Sequence, residues 1–133
     1  MLYTGVMIIC DIDDTLVRAG QYPIKKTIDY VNSLNTRVII VTGREKKDRV
    51  ETEAILKKIG VKYSSLLMNP YSYRDSNKWK REAANKLHDA TLAIDDNAGA
   101  RKAYEAEGIK AIHPDDVPDM DKFWSVFESD SGY

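Results

Sequence analysis

The sequence predicts an α/β protein, a Rossmann-like three-layer sandwich with a central parallel sheet of about five strands. Three observations lead there. Short β-branched runs alternate along the chain with segments of helical periodicity. Those runs are continuously apolar, the pattern of strands buried on both faces, and do not alternate apolar with polar. The segments between them are long enough for right-handed βαβ crossovers, which place helices on both sides of a parallel sheet.

Element by element, Val6–Cys10 (VMIIC) reads as the first strand, and three acids, Asp11, Asp13 and Asp14, follow it at once. Thr15–Tyr22, with Gly20, has no periodicity and reads as irregular. Pro23 suits the first position of a helix, where its missing N–H costs nothing, and Ile24, Ile28, Val31 and Leu34 follow at helical spacing. Arg37–Thr42 (RVIIVT) is a second buried strand. Glu45–Ile59 reads as a charged helix burying Val50, Ala54, Ile55 and Ile59, with Gly60 as its left-handed stop. Tyr63–Met68 is a third strand, broken by Asn69-Pro70. Asn77–His88 is a helix with Trp79, Ala83 and Leu87 on one face. Thr91–Ile94 is a fourth strand, Ala98–Glu107 a helix stopped by Gly108, and Ile109–Ile112 a fifth strand ended by His113-Pro114. Met120, Phe123, Trp124 and Phe127 stripe a last helix, read as core by their spacing.

Composition bounds the function. A chain of 133 residues without repeats or linker-like stretches reads as a single domain, 1–133, able to bury roughly two-thirds of its unfolded surface. With 43% hydrophobic and 31% charged residues it has the composition of a globular protein. A net charge of −1 argues against bulk attraction to nucleic acid or membrane, though not against a local patch. Its longest apolar run is far short of the ~20 residues a membrane span needs. One cysteine, Cys10, excludes an internal disulfide and reads as core filler in a reducing compartment. The first residues carry no basic region, so no signal peptide is expected and the expected location is cytoplasmic.

The polar residues converge. Asp11, Thr42 and Asp95 each end a predicted strand, and Lys80 follows the end of another. Open α/β sheets bind ligands at the carboxyl ends of their strands, so sequence-distant segments deliver acids, a hydroxyl and a lysine to one edge. Acids this close repel, and burying an ionised carboxylate costs several kcal/mol, so a cation is expected among them. Blander readings exist for each piece alone. Asp95, Asp96 and Asn97 could cap the next helix, Thr42-Gly43 could be a turn, and Lys80 could lie on a solvated face. The basic residues from Arg44 to Arg49 are interleaved with acids, as on any solvated helix. His88 and His113 lack metal-ligand spacing.

Taken together, D-x-D-x-T (Asp11, Asp13, Thr15), strand-end Thr42, a lysine and a strand-end Asp-Asp pair resemble the haloacid dehalogenase superfamily, from Val6 to about His113. The resemblance implies a phosphomonoesterase with Asp11 as nucleophile, forming an aspartyl-phosphate. It implies Mg²⁺, a hard cation suited to oxygen ligands, held by the Asp11 and Asp95 carboxylates and the Asp13 backbone carbonyl, with Asp96 on a metal-bound water or on the lysine. Asp13 would act as acid and then base; an acid there points to phosphate transfer to water, not dehalogenation. Thr42 and Lys80 would hold phosphoryl oxygens, helped by the Ile12 and Gly43 amides. Asp14 is left as solvent-facing or part of the turn.

Two lysines compete for the phosphate. Lys78 and Lys80 lie ~200° apart on a helix and cannot both face the site. The runs YRDSNKWKREAANKL, LAIDDNAGARKAYEAEGI and VTGRE are similar to the 3′-phosphatase domain of phage-type polynucleotide kinases. That similarity selects Lys80, six positions after Arg74, and adds Arg44 and Arg74 as candidate substrate-binding residues, with Lys78 the fallback. No G-x-x-x-x-G-K-[ST] occurs, so no kinase half is expected. The superfamily inserts cap domains after the first or third strand; here those slots hold only Thr15–Tyr22 and Asn69–Asn77, so no cap is expected. An open site suits a substrate too large to enclose, such as a nucleic-acid 3′ end, or a homo-oligomer whose partner supplies the lid. Tyr71, Tyr73 and Arg74 could contact such a substrate by stacking. The competing readings are a phosphatase of a nucleotide or other small phosphomonoester, and a receiver-like signalling domain, disfavoured because its third strand should end in an acid.

Overall fold

The computed structural model describes residues 6–122. In chain order its regular elements are β1 (Met7–Cys10), β2 (Val17–Arg18), β3 (Tyr22–Pro23), α1 (Lys25–Ser33), β4 (Arg37–Glu45), α2 (Arg49–Ile59), β5 (Ser65–Asn69), α3 (Ser76–Lys86), β6 (Leu92–Ile94), α4 (Ala98–Ala106) and β7 (Ala111–Ile112). Five of the strands form one parallel sheet in the order β5-β4-β1-β6-β7. The α/β sandwich expected from the alternating pattern is present, with no cap domain among the described residues.

The two faces of β1 belong to two cores. Successive side chains on a strand point to opposite sides. Ile8 and Cys10 therefore pack with Ile28 and Val31 of α1 and Leu56 of α2. Met7 and Ile9 pack with Ala83 and Ala84 of α3 and Ala100 and Tyr104 of α4. Each fully buried Ile or Leu contributes about 1.5–3 kcal/mol, so the central strand is the most firmly held part of the sheet. The chain winds from β1 through β4 to β5 at one edge, then returns to β6 on the other side of β1. The carboxyl ends of β1 and β6 thus flank the switch point, where an open α/β sheet offers its crevice.

Several expectations need correction. The stretch after the acids is not wholly irregular: Val17–Arg18 pairs with Tyr22–Pro23 in a small antiparallel hairpin. Pro23 therefore sits in β3 and not at a helix start; Ile24 donates its N–H to the Leu16 carbonyl (2.8 Å), and α1 begins at Lys25. The turn from Asp11 into the hairpin is fixed by the Ile12 carbonyl, which accepts the N–H groups of Thr15, Leu16 and Val17. Asp14 adopts φ +59° within it, a conformation Asp tolerates better than most residues.

The second strand runs past Thr42 to Glu45, and a 3₁₀ turn (Lys46–Asp48) precedes α2. This resets the buried face. Thr52 and Leu56 are buried with Ile55 and Ile59 beside them, whereas Val50 is 84% exposed and Ala54 is exposed. At ~100° per residue Val50 lies opposite the centre of that face. β5 starts at Ser65 and not at Tyr63, and it ends at Asn69, just before Pro70, as expected. Gly60 closes α2 with φ +75°, as expected. Met120 is described, but Phe123, Trp124 and Phe127 of the expected last helix lie outside the described residues.

Candidate active site

Burying the strands fixes what their ends carry. Asp11, directly after β1, is 6% exposed, and Asp95, directly after β6, is wholly buried. Lys80, on α3, is 4% exposed, and its Nζ lies 2.6 Å from Asp95 Oδ2 and 3.2 Å from Asp11 Oδ1. One buried ammonium bridges two buried carboxylates contributed by three separate elements. Burial alone would push the Lys80 pKa down, but Asp11 and Asp95 outweigh it and hold it above the ordinary lysine value. For Asp11 the balance tips the other way: burial, reinforced by Asp95, raises its pKa well above the usual carboxylate range despite Lys80.

Asp96 completes the group. Carboxylate oxygens of Asp11, Asp95 and Asp96 lie within 4.8 Å of one another, the only such trio among the described residues. Three carboxylates against one ammonium leave a surplus of negative charge, and all the donors are hard oxygens. That donor set and that charge surplus fit a small divalent cation such as Mg²⁺. The helix-capping reading of this stretch is answered by Asn97, whose side chain accepts the Ala100 N–H (2.9 Å) and caps α4. Asp95 Oδ1 accepts the Asn97 N–H (2.9 Å), and Thr15 donates its hydroxyl to Asp96 (3.3 Å) while accepting the Asp96 N–H. Arg101 Nη1 donates to the carbonyls of both Asp95 (3.0 Å) and Asp96 (2.8 Å), bracing the acidic turn.

Asp13 is held differently. Its two oxygens accept Nε (2.9 Å) and Nη2 (2.8 Å) of Arg44, which also donates to the Gly20 carbonyl (3.1 Å). Arg44, expected to bind substrate, is thus occupied by Asp13 and the hairpin. A carboxylate offers about four lone-pair sites, so the fork leaves each Asp13 oxygen one more.

The cavity these residues line is small, about 70 Å³. Asp11, Asp13, Asp14, Gly43, Lys80 and Asp96 line it, with Tyr73, Ser76, Asn77 and Asn97. Larger depressions of about 410 and 460 Å³ lie beside Val38 and Ser64 and against α2, but neither gathers facing acids, so the chemistry points to the small one. Thr42 lies behind this cavity: it is wholly buried, and its hydroxyl oxygen accepts the Arg44 N–H (3.0 Å). Gly43 lines the cavity because it has no side chain; a Cβ there would stand 2.8 Å from that of Ser76.

The two competing lysines are separated plainly. Lys80 is in the site; Lys78 is exposed, with its ammonium 4.7 Å from the ring centroid of Tyr71. Arg74, exposed on the 3₁₀ turn before α3, does not line the cavity. Sequence reasoning missed Arg101, Asn77 and the Asp13–Arg44 fork. Arg101 alone left a signal, one helical turn after the Asn97 cap.

A buried lysine among strand-end carboxylates lies at the switch point of the parallel sheet, where open α/β sheets place their ligand sites. The haloacid dehalogenase-like hydrolase family matches residues 8–97, and the chain belongs to that family. Two solved structures share its fold. One chain of the Pnkp1/Rnl/Hen1 RNA repair complex superposes with a TM-score of 0.67 at 22% identity over 82% of this chain. This chain corresponds to 42% of that one, well under half its length. The core domain of a protein provisionally assigned as a phosphoglycolate phosphatase, from Streptococcus pneumoniae TIGR4, gives 0.53 at 19% identity, covering 83% of this chain and 80% of that one. No curated protein matches the chain. Family membership sets the receiver-like alternative aside and supports a phosphatase. No helix among the described residues is long and apolar enough to cross a membrane.

Proposed function

We propose that the chain is a Mg²⁺-dependent phosphomonoesterase that removes 3′-phosphates from polynucleotide ends through an aspartyl-phosphate on Asp11. The observation that carries the chemistry is the buried Lys80 ammonium joined to Asp11 and Asp95 beside a cavity of only about 70 Å³. Such a cavity has room for a phosphoryl group.

The residues divide the work. An Asp11 oxygen attacks phosphorus as the ester oxygen leaves, so the P–O ester bond breaks while an acyl-phosphate forms. Asp13 gives the departing oxygen its proton. It then takes one from the water that attacks the acyl-phosphate, releasing inorganic phosphate and restoring Asp11. Arg44 holds the Asp13 carboxylate in orientation through both oxygens. Lys80 stabilises charge on the phosphoryl oxygens as they spread in the transition state, and backbone N–H groups beside Ile12 and Gly43 add donors. Thr42 supports the turn that presents Gly43. Mg²⁺, held by Asp11, Asp95 and Asp96 with the Asp13 carbonyl, would remove the repulsion between a carboxylate nucleophile and a phosphate dianion.

The substrate follows from what surrounds the cavity. With no cap among the described residues, none of them encloses the alcohol half of the ester, so a chain end can approach. The fold likeness to a chain of an RNA repair complex supports the same direction. The test is a panel of phosphomonoesters with Mg²⁺ present: a 3′-phosphorylated oligonucleotide, its 5′-phosphorylated counterpart, nucleotides and small alkyl phosphates. The 3′-phosphorylated oligonucleotide should give the highest kcat/KM, and Asp11→Asn should abolish turnover. Preference for a small phosphomonoester would replace the substrate; turnover by the Asn variant would overturn the chemistry.

A further inference from the structure

A cavity of about 70 Å³ is too small to enclose a nucleotide, so the rest of the substrate would be recognised on its rim. Two tyrosines stand on the connection between β5 and α3, and the structure gives them different work. Tyr71 is committed: its hydroxyl donates to the Glu82 carboxylate (2.7 Å), and Lys78 covers its ring. Tyr73 is 66% exposed and itself lines the cavity. Its ring edge faces Gly43, where a Cβ would come 3.6 Å from Tyr73 Cε2. Among the described residues its side chain has no polar partner.

The position of Tyr73 is built. Its N–H donates to the Glu45 carboxylate (3.3 Å). The wholly buried Asn69 donates to the carbonyls of Gly43 (3.1 Å) and Ser72 (3.0 Å) and accepts the Tyr71 N–H (2.8 Å). The loop is thereby tied to the end of β4, so ordering it on binding costs little further entropy. A large aromatic ring thus stands mostly in water, on a backbone tied to β4, beside the acid-lined cavity.

We infer that Tyr73 determines specificity by stacking on the base of the nucleotide that carries the scissile phosphate. The inference rests on the 3′-phosphatase reading. Stacking needs only a π-face and no hydrogen-bond pattern, so the enzyme prefers a base-bearing 3′ end and tolerates any base. Phosphomonoesters without an aromatic ring near the phosphate forgo the contact.

The experiment compares two 3′-phosphorylated oligonucleotides of equal length, one ending in an ordinary nucleotide and one in a stabilised abasic residue, across wild type, Tyr73→Phe and Tyr73→Leu. Wild type should favour the base-bearing end in kcat/KM by about 5- to 150-fold, the range of one base–aromatic stack. The Phe variant should keep that ratio and the Leu variant should lose it. Equal losses on both substrates in the Leu variant would show a merely structural role and overturn the inference, as would a wild type indifferent to the base. If wild type hydrolyses small alkyl phosphates but neither oligonucleotide, the 3′-phosphatase reading fails first and the stacking role falls with it.

Discussion

Replacing Asp11, the proposed nucleophile, should make the metal-free protein more stable, not less. Asp11 faces Asp95 and Asp96 with carboxylate oxygens no more than 4.8 Å away. At an effective dielectric of about 20, each repulsion at that distance is worth about 3.5 kcal/mol. The attraction to Lys80 at 3.2 Å is worth about 5 kcal/mol on the same scale. Repulsion therefore exceeds attraction by roughly 2 kcal/mol, somewhat less once solvent screening at the half-buried Asp96 is allowed for. Asp11→Asn removes the charge, keeps the shape and leaves a carbonyl for Lys80 to donate to. Urea unfolding in EDTA, followed by tryptophan fluorescence, should show the Asn variant as stable as wild type or up to about 2 kcal/mol more so. Added Mg²⁺ should stabilise wild type, by about 2.7 kcal/mol at a hundred times its dissociation constant, and should stabilise the variant less. A variant that loses more than about 1 kcal/mol in EDTA, the ordinary cost of a damaging substitution, would show that the acids are not electrostatically strained, and the argument for a cation among them would fail.

Further expectations concern the same framework. Because Asp11 holds its proton more tightly in the metal-free native state than in the unfolded chain, its contribution to stability should be fully present below the ordinary carboxylate range. It should fall as pH rises toward the folded-state value; thermal melts should show the Mg²⁺ increment growing over that interval, and a constant increment would contradict it. Gly43→Ala should cost about 1–3 kcal/mol through overpacking and lower kcat/KM, because its Cβ would displace Ser76 at the start of the helix carrying Lys80. Adding Ser76→Gly should restore turnover, and failure to do so would assign the damage elsewhere. On α2, Val50→Glu should change stability by less than about 0.5 kcal/mol, whereas Leu56→Ala should cost about 2–5 kcal/mol; denaturant midpoints of the two variants would check the face assigned to that helix.

What the sequence made legible was whatever periodicity or continuity encodes. Runs such as MIIC and RVIIV can only be strands buried on both sides, so β1 and β4 and the acids and hydroxyl at their ends could be located from residues alone. Burial then resolved Lys80 from Lys78, which spacing could only declare mutually exclusive. The β2–β3 hairpin was invisible because strands of two residues carry no alternation. The face of α2 was misread because Val50 and Ala54 are apolar and close to the right spacing; the 3₁₀ turn that shifts the helix start leaves no clear mark. Polar contacts between distant segments were beyond reach. Arg44 and Asp13 lie 31 positions apart, and nothing local says that a basic residue beside a strand end will spend its fork on a carboxylate.

That pairing changes how charge is shared in the site. With Arg44 free, it and Lys80 would divide a dianionic phosphoryl group between them. With Arg44 taken by Asp13 and the Gly20 carbonyl, Lys80 is the one cationic side chain among the residues lining the cavity. On the proposed reading Lys80 would therefore serve two partners in turn, the Asp11 and Asp95 carboxylates and the phosphoryl oxygens of the substrate. It can leave the first for the second only if another positive charge takes its place beside Asp11 and Asp95, because uncovering a buried carboxylate costs about 3–5 kcal/mol. On the proposed reading, metal and lysine would therefore not be redundant cations. A cation held by the three carboxylates would let Lys80 turn toward substrate, whereas one ammonium would have been balanced by a single acid.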